Sequence, residues 1–311
     1  MKFLWVILAL ALGACAKSNL AYITNQGENT VSVIDVARNS VITTIPVGKA
    51  PVGVAASKTL QRVFITNVDS QSISVIDTNA QKVIRTIAIK GSPVGISISP
   101  DSKVLYVADW FSDRVIAIST DDYPRQREVM IEKAPAGLIV SPDNKTLYVA
   151  ARDTNEVAVI DTATLKITKR IKVGKHPFGI TLSKQGDTLY AVNVYDNSVS
   201  IIDTSNWSQS IIKVGDHPYC AVASPDNRTL YVTNTLDDTV SVIDLKTQKT
   251  LAVVDVGMTP EGISFDAASN RVVIASWGDN NVSILDAKTN KLIEKIKTGD
   301  KSRAFGSFIL N

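Results

Sequence analysis

One five-residue pattern recurs through almost the whole chain at a nearly constant interval. Its copies have the form apolar-x-apolar-apolar-Asp, with Ser in place of Asp once, and they end at Asp35, Asp77, Ser119, Asp161, Asp203, Asp244 and Asp286. Neighbouring copies are 42 residues apart, except for one interval of 41. A period of this length, maintained over seven copies, indicates a repeat protein in which each unit forms one supersecondary structure.

Each unit contains four short segments that are typical of β-strands. In the second unit they read RVFITN, SISVID, KVIRTIAI and PVGISIS, which are rich in β-branched residues and are separated by turn-forming residues. Four strands in a unit of this length form one blade of a β-propeller. The sequence therefore predicts an all-β fold, a seven-bladed β-propeller of four-stranded repeats.

The two ends of the chain complement each other. The segment LAYITN, which starts at Leu20, matches the second strand of a unit, and RAFGSFIL, which starts at Arg303, matches the first strand. We expect the C-terminal segment to become the innermost strand of the blade begun near the N-terminus, because this closes the ring and removes an exposed edge. Residues 20–311 are thus predicted to form a single propeller domain.

The first residues have the pattern of an export signal. Lys2 precedes an apolar run from Phe3 to Leu12, which is too short to span a bilayer as a helix. The motif LGAC at positions 12–15 resembles a bacterial lipobox, so we expect a lipoprotein signal peptide over residues 1–14 and lipidation of Cys15, followed by a tether up to residue 19. An ordinary signal peptide is the alternative. Since Ala16 and Lys17, and no aspartate, directly follow Cys15, we favour an outer-membrane anchor, facing the periplasm or on the cell surface.

Composition bears on the class of partner. The formal net charge is only +3, whereas nucleic-acid-binding domains usually have a strong basic excess. The hydrophobic content of 45% is sufficient for a large core. We expect the protein to be a monomer. If Cys15 is lipidated, Cys220 has no partner and the mature chain contains no internal disulfide.

Comparison of the units separates their shared framework from their individual residues. Recurrent positions are predicted to serve packing and turns: the aromatic residues of the second strands in blade contacts, the strand-ending Asp residues in hydrogen bonds to turns, and the Gly residues of the first strands where chains crowd toward the axis. The aromatic residues are Tyr22, Phe64, Tyr106, Tyr148, Tyr190 and Tyr231, and the glycines are Gly53, Gly95, Gly137, Gly179 and Gly262. Cys220 replaces glycine in this series, so we interpret it as a small buried residue and not as a nucleophile.

Several repeated motifs resemble those of the YVTN family of β-propellers. The segments YITN, FITN, YVAD, YVAA and YVTN begin at residues 22, 64, 106, 148 and 231, and P-x-G and SPD motifs accompany them. The resemblance covers nearly all of residues 20–311 and implies the propeller fold. It leaves function open, because similar propellers serve as extracytoplasmic binding proteins, lactonases, quinoprotein dehydrogenase subunits and modified-haem nitrite reductase domains.

The unusual residues are concentrated in the turns of one face. In an up-and-down blade, the turn between the second and third strands and the turn into the next innermost strand lie on the same face, and the SPD turns lie on the other. The first face, here called the loop face, carries a candidate binding patch formed by Trp110, Phe111, Arg152, Tyr195, Trp277, His176, His217 and Glu261. The alternative is that these residues only cap the mouth of the channel.

The two histidines occupy equivalent turns. The residue before proline is Ala50, Ser92, Ala134, His176, His217 or Thr259 in successive units, so this turn does not require histidine. His176, His217 and Glu261 are weak candidates for a metal site, but no further ligands cluster with them and no haem-attachment motif occurs. We therefore predict no metal and no cofactor.

Known catalytic motifs are absent from the sequence. It contains no P-loop, no G-x-G-x-x-G and no G-x-S-x-G, and no residue is predicted to be catalytic. The leading hypothesis is a lipid-anchored, non-catalytic binding or scaffold protein that uses its loop face to bind a protein or small ligand. A redox or lactonase-like enzyme using the His176, His217 and Glu261 side of the channel is the alternative. Single-stranded nucleic acid stacking on Trp110 or Trp277 is weaker, although Lys49, Lys133, Lys175 and Arg303 supply some positive charge.

Overall fold

Each repeat folds into an antiparallel sheet of four strands, and seven such sheets surround a central channel. The structure, a computed structural model, describes residues 19–122 and 124–310. The predicted signal peptide and Cys15 lie outside these residues. Within the described part of the chain, no helix is long and apolar enough to cross a membrane. The predicted seven-bladed β-propeller is confirmed.

The strands are numbered in chain order and occupy four radial positions. The second and third strands are β1 (Leu20–Asn25), β2 (Thr30–Asp35), β5 (Arg62–Asn67), β6 (Ser72–Asp77), β9 (Val104–Asp109), β10 (Arg114–Ser119), β13 (Thr146–Ala151), β14 (Glu156–Asp161), β17 (Thr188–Asn193), β18 (Ser198–Asp203), β21 (Thr229–Asn234), β22 (Thr239–Asp244), β25 (Arg271–Ser276) and β26 (Asn281–Asp286). The outermost strands are β3 (Ser40–Pro46), β7 (Lys82–Ala88), β11 (Gln126–Met130), β15 (Lys166–Lys172), β19 (Gln209–Lys213), β23 (Lys249–Asp255) and β27 (Lys291–Lys297).

The innermost strands are β4 (Pro51–Ser57), β8 (Pro93–Ile98), β12 (Pro135–Val140), β16 (Pro177–Leu182), β20 (Pro218–Ala223) and β24 (Pro260–Asp266), together with β28 (Ser302–Arg303) and β29 (Phe305–Ser307). Blade 1 contains β1 to β3 and β28, and blades 2 to 7 begin at β4, β8, β12, β16, β20 and β24. Short 3₁₀ turns follow three second strands, at Trp110–Ser112, Arg152–Thr154 and Val194–Asp196.

The C-terminal segment closes the ring as predicted, although it is less regular than a continuous strand. β28 pairs antiparallel with β1, and the carbonyl of Phe308 accepts a hydrogen bond from the N–H of Tyr22 at 2.9 Å. Between these contacts, β29 instead pairs in parallel with β4 of the next blade. Gly306 has a φ of 119°, a conformation that favours glycine. This backbone conformation lies where the segment pairs with β4 of blade 2, between its two contacts with β1 of blade 1.

Burial explains the sequence pattern of each strand. The second and third strands are covered on both faces because each blade lies between two others, so they are almost continuously apolar. The framework tyrosines of these strands are buried, as predicted. Some reach the next blade with their hydroxyl: Tyr22 accepts from Gln81 at 3.0 Å, and Tyr190 donates to Asn227 at 2.9 Å.

The innermost strands approach one another closely at the framework glycines. A Cβ on Gly137 would collide with the carbonyl oxygen of Phe178 in the neighbouring blade, and the other framework glycines have equivalent neighbours. The predicted role of these glycines in close approach is therefore confirmed. Crowding leaves a central cavity of only about 90 Å³ among the innermost strands.

The Asp residues that end the third strands have the predicted turn role. Asp161, for example, accepts hydrogen bonds from the backbone N–H of Thr164 at 2.8 Å and from its hydroxyl at 2.6 Å. These bonds favour the carboxylate and hold the pKa of Asp161 below its usual value of 3.8.

Candidate functional site: an aromatic cleft on the loop face

A repeated backbone turn determines where the two histidines lie. His176 and His217 have φ values of 53° and 49°, and Ala50, Ala134 and Thr259 adopt the same left-handed conformation before their prolines. The N–H of each histidine donates to a loop asparagine, and its carbonyl accepts from the N–H of the residue after the second strand. Since alanine and threonine make the same turn, the imidazole rings are additions to a framework that does not need them.

The variable residues of blades 3 to 6 form a cleft of about 260 Å³ on the loop face. It is lined by Trp110, Arg152, His176, Phe178, Val194, Tyr195, His217, Tyr219 and Thr235. The structure thus brings together five of the eight residues predicted for a binding patch. Their role in binding remains a prediction.

Tyr195 connects the two histidines. Its ring stacks on His176 with a centroid separation of 4.0 Å, and it meets His217 edge-on at 5.6 Å. Tyr195 is 53% exposed, so it presents part of its ring to solvent at the edge of the cleft.

The floor of the cleft is aromatic. Phe178 contacts Trp110 at 5.6 Å, Tyr219 at 4.1 Å and Phe305 at 4.9 Å between ring centroids. Sequence reasoning missed Phe178 and Tyr219, because it compared the units at the residue before each proline and at the glycine, and of the residues between them it singled out only Glu261. A signal was available, since the position after the proline varies among Val, Ala, Phe, Tyr and Glu from unit to unit.

Arg152 supplies a positive charge at the wall of the cleft. Its guanidinium lies over the ring of Trp110, 5.1 Å from the centroid, and forms an ion pair with Asp153 at 3.2 Å. Burial and the charge of Arg152 lower the pKa of His176, so this ring is neutral near pH 7. The Nδ1 atom of His176 is buried without a hydrogen-bond partner within the described part of the chain.

The remaining predicted residues lie beside the cleft. Glu261 is held in an ion pair with Arg303 at 2.7 Å, and Arg303 also donates to the hydroxyl of Tyr219 at 3.1 Å. Burial raises the pKa of Glu261 against the opposing effect of Arg303. Burial also disfavours the charge on Arg303, but Glu261 and Tyr219 together more than offset this effect, so the pKa of Arg303 is raised. The side chain of Gln26 accepts from Arg303 at 3.1 Å and from the indole of Trp277 at 3.4 Å, which connects Trp277 to the same network.

The arrangement does not resemble a metal centre. Across residues 19–122 and 124–310, no group of three or more His, Cys, Asp or Glu side chains is placed to hold a metal ion. His176 and His217 both face Tyr195, whereas Glu261 is engaged by Arg303. These three weak candidates therefore do not converge as ligands.

Several apolar side chains extend the patch beyond the cleft. Phe111 is 79% exposed next to Trp110, and Leu236 and Met258 are 61% and 50% exposed in the turns of the neighbouring blades. Leu236 and Met258 were not predicted, because a single apolar residue in one loop carries no signal of its own.

Cys220 is buried below the cleft. Burial raises the pKa of its thiol, and its N–H donates to the hydroxyl of Thr233 at 3.0 Å. These observations agree with the predicted packing role, since a reactive cysteine needs access and a lowered pKa.

Fold and site together define a seven-bladed β-propeller with an aromatic cleft on its loop face. Two family models match parts of the chain: YNCE-like β-propeller over residues 182–305, and Lactonase, 7-bladed β-propeller, over residues 117–219. No curated protein sequence matches the chain.

Solved structures share the fold at low sequence identity. Hydrazine synthase from Kuenenia stuttgartiensis aligns with a TM-score of 0.78 and 21% identity, over 86% of this chain and 92% of that chain. A functionally unknown protein from Desulfotomaculum acetoxidans aligns with a TM-score of 0.79 and 16% identity, over 91% and 98%. The dihydro-heme d1 dehydrogenase NirN aligns with a TM-score of 0.68 and 15% identity, over 92% and 74%.

Proposed function

We propose that this propeller is a non-catalytic binding protein that captures a protein or a small ligand at the aromatic cleft of its loop face. The observation that carries the proposal is the concentration of Trp110, Arg152, Tyr195 and two histidines in one cleft. Aromatic residues and arginine are enriched at binding hot spots. The opposite face is more uniform, since three of its blades share the Ser-Pro-Asp turns that start at Ser99, Ser141 and Ser224.

The size of the cleft limits what it holds. A volume of about 260 Å³ is slightly below the range of roughly 300–1,000 Å³ that is typical of small-molecule sites. It suits one aromatic or apolar side chain of a partner, or a compact ligand. The exposed side chains of Phe111, Leu236 and Met258 would then meet the surface around that inserted group.

The proposal includes a lipid anchor. Cys15 carries the lipid after removal of residues 1–14, and the protein acts as a monomer at the outer membrane, facing the periplasm or the exterior. The support is the LGAC motif after a short apolar run.

Affinity capture tests the binding role. The variant Trp110→Ala, Arg152→Ala, Tyr195→Ala, crosslinked in its native membrane, should lose at least tenfold of the partner that wild type captures. A matched control replaces residues of the same types on the opposite face, Trp207→Ala and Arg228→Ala. Equal capture by wild type and the cleft variant would refute the assignment of the site, provided that the melting temperatures agree.

A second candidate function is hydrolysis of a lactone at the same cleft. The lactonase family match covers residues 117–219, which include Arg152, His176 and His217. The lowered pKa of His176 keeps its ring neutral and able to accept a proton from water. Turnover of lactones by wild type, lost in His176→Gln, would support this function, whereas no turnover would exclude it for the lactones tested.

A redox role remains the third candidate, because two of the structurally similar proteins are named as a hydrazine synthase and a dehydrogenase. An absorbance spectrum and metal analysis of natively purified protein test it. A bound chromophore or a stoichiometric metal would favour a redox role, and a colourless, metal-free protein would count against it. Binding of single-stranded nucleic acid is the weakest candidate and predicts strongly salt-dependent binding that is lost on Trp110→Ala.

A further inference from the structure

The described chain starts on the face opposite the cleft. Leu20 pairs with Asp35, the last residue of β2, and the N–H of Val36 donates to the carbonyl of Asn19 at 3.2 Å. The side chain of Asn19 donates to Asp266 at 2.6 Å, and Asp266 ends the innermost strand of blade 7. Both strands end at the face that carries the Ser-Pro-Asp turns, here called the SPD face. Asn19 is therefore fixed at the SPD face between blades 1 and 7.

The distance from Cys15 to this point is short. Asn19 lies four residues after Cys15, and a fully extended chain spans at most about 3.6 Å per residue, or roughly 14 Å in total. A six-residue strand is about 20 Å long, so the two faces of the propeller are separated by more than the tether can reach. A lipid on Cys15 would hold the SPD face near the bilayer and leave the loop face farther away.

The charges around Asn19 favour contact with anionic lipid. The turns of the SPD face in blades 1, 2 and 7, at residues 36–39, 58–61, 78–81, 267–270 and 287–290, contain no Asp or Glu. They contain the exposed side chains of Arg38, Lys58 and Lys288. Four carboxylates at the adjoining strand ends, of Asp35, Asp77, Asp266 and Asp286, are matched in number by four cations at strand starts on the same face, those of Arg62, Lys82, Arg271 and Lys291.

The loop face of the same three blades is more acidic. Its turns carry Glu28, Asp69, Asp279 and Asp300 against Lys49, Lys90 and Lys301. An anionic membrane would therefore attract the SPD face of these blades more strongly than their loop face. Such attraction acts only within a Debye length of about 8–10 Å, and the short tether keeps the SPD face close to that distance.

We propose that the SPD face of blades 1, 2 and 7 docks on anionic lipid headgroups and that the cleft points away from the membrane. This inference rests on the lipid anchor included in the proposed function. Its consequence is that the cleft is open to partners from the aqueous side, without the protein having to leave the membrane.

Two labelling positions in blade 2 test the orientation. Thr59→Cys lies on the SPD face and Asp69→Cys on the loop face, and both residues are exposed. Full-length lipidated protein is labelled with a fluorophore and reconstituted in phosphatidylglycerol vesicles with spin-labelled headgroups, and labelled wild type measures background at the buried Cys220. Quenching should be at least threefold stronger at position 59 than at position 69. Equal quenching, or stronger quenching at position 69, would overturn the proposal.

Charge reversal tests the surface independently of the lipid. In a protein that starts at Ala16, and so lacks both the leader and the lipid, Arg38, Lys58 and Lys288 are each changed to Glu, and partition onto phosphatidylglycerol vesicles is measured at low salt. Each change should weaken partition by at least fivefold, which is the effect of losing one cation alone. The matched control changes three exposed lysines of the loop face to Glu, Lys49, Lys90 and Lys133, and should stay within threefold of the parent. A control effect as large as that of the SPD-face variant would refute the docking surface.

The two proposals fail in different ways. Wild-type protein that is recovered entirely in the soluble fraction would overturn membrane docking. Capture of a partner at the cleft, measured with the same soluble protein, would still stand. Loss of that capture in wild type, with unequal quenching retained, would overturn the binding role alone.

Discussion

Ring closure by the C-terminal segment makes a strong prediction for Phe308→Ala. The Phe308 side chain is 0% exposed and packs in the core formed by blades 1, 2 and 7. Truncation of a buried Phe to Ala costs about 3–5 kcal/mol through lost burial and a residual cavity. For a domain of this size, roughly 2 °C is expected per kcal/mol, so the melting temperature should fall by about 6–10 °C.

The control for this prediction is Phe111→Ala. It makes the same chemical change at a side chain that is 79% exposed, where the effect should stay within about 0.5 kcal/mol. Both variants are compared with wild type by calorimetry and by urea unfolding. Removal of residues 305–311 should go further and abolish the single cooperative transition. The closure argument would be refuted if the Phe308→Ala and Phe111→Ala proteins had the same melting temperature. It would also be refuted if the truncated protein unfolded in an unchanged transition.

Three further predictions concern the framework. Glu261→Gln should destabilise the fold by about 3–5 kcal/mol in urea unfolding, because it leaves the buried charge of Arg303 without compensation, and replacing both residues by Leu should recover most of this loss. Gly137→Ala should cost about 1–3 kcal/mol, since the new Cβ meets a backbone carbonyl, whereas Cys220→Ala at the equivalent position should cost less; equal costs would contradict the crowding argument. Stability should decrease as the pH falls below about 4, because the pKa of turn carboxylates such as Asp161 is lower in the folded chain than in the unfolded chain, and the folded state therefore binds fewer protons. Asp161→Asn should flatten the acid dependence of the urea midpoint, and an unchanged dependence would show that this turn does not contribute.

The repeat allowed much of the fold to be predicted because each unit meets the same environment. The strands of the second unit were predicted to within a residue of β5, β6, β7 and β8. The burial of Tyr22 and the role of Gly137 followed from their recurrence alone. The break at Gly306 could not be predicted, because the C-terminal segment occurs once and its partners come from two blades.

The candidate site was predictable only in part. Trp110, Arg152 and Tyr195 stood out because they depart from their own repeat positions. Phe178 and Tyr219 were missed because a motif of fixed length concealed a variable position. Comparison of the repeats identifies the residues needed for packing and turns. It conceals a variable residue, such as Phe178, that lies between two such recurrent positions.

The sequence by itself determined the number of blades, the turns that place each variable residue on the loop face, and the segment that closes the ring. These features depend on local strand and turn preferences repeated at a constant interval. Only the tertiary structure decided which variable residues meet. Gln26 and Arg303, which are 277 positions apart, share a hydrogen bond because closure brings the two ends together. His176 and His217 lie against one tyrosine because adjacent blades converge toward the axis, and Glu261 is drawn instead to Arg303.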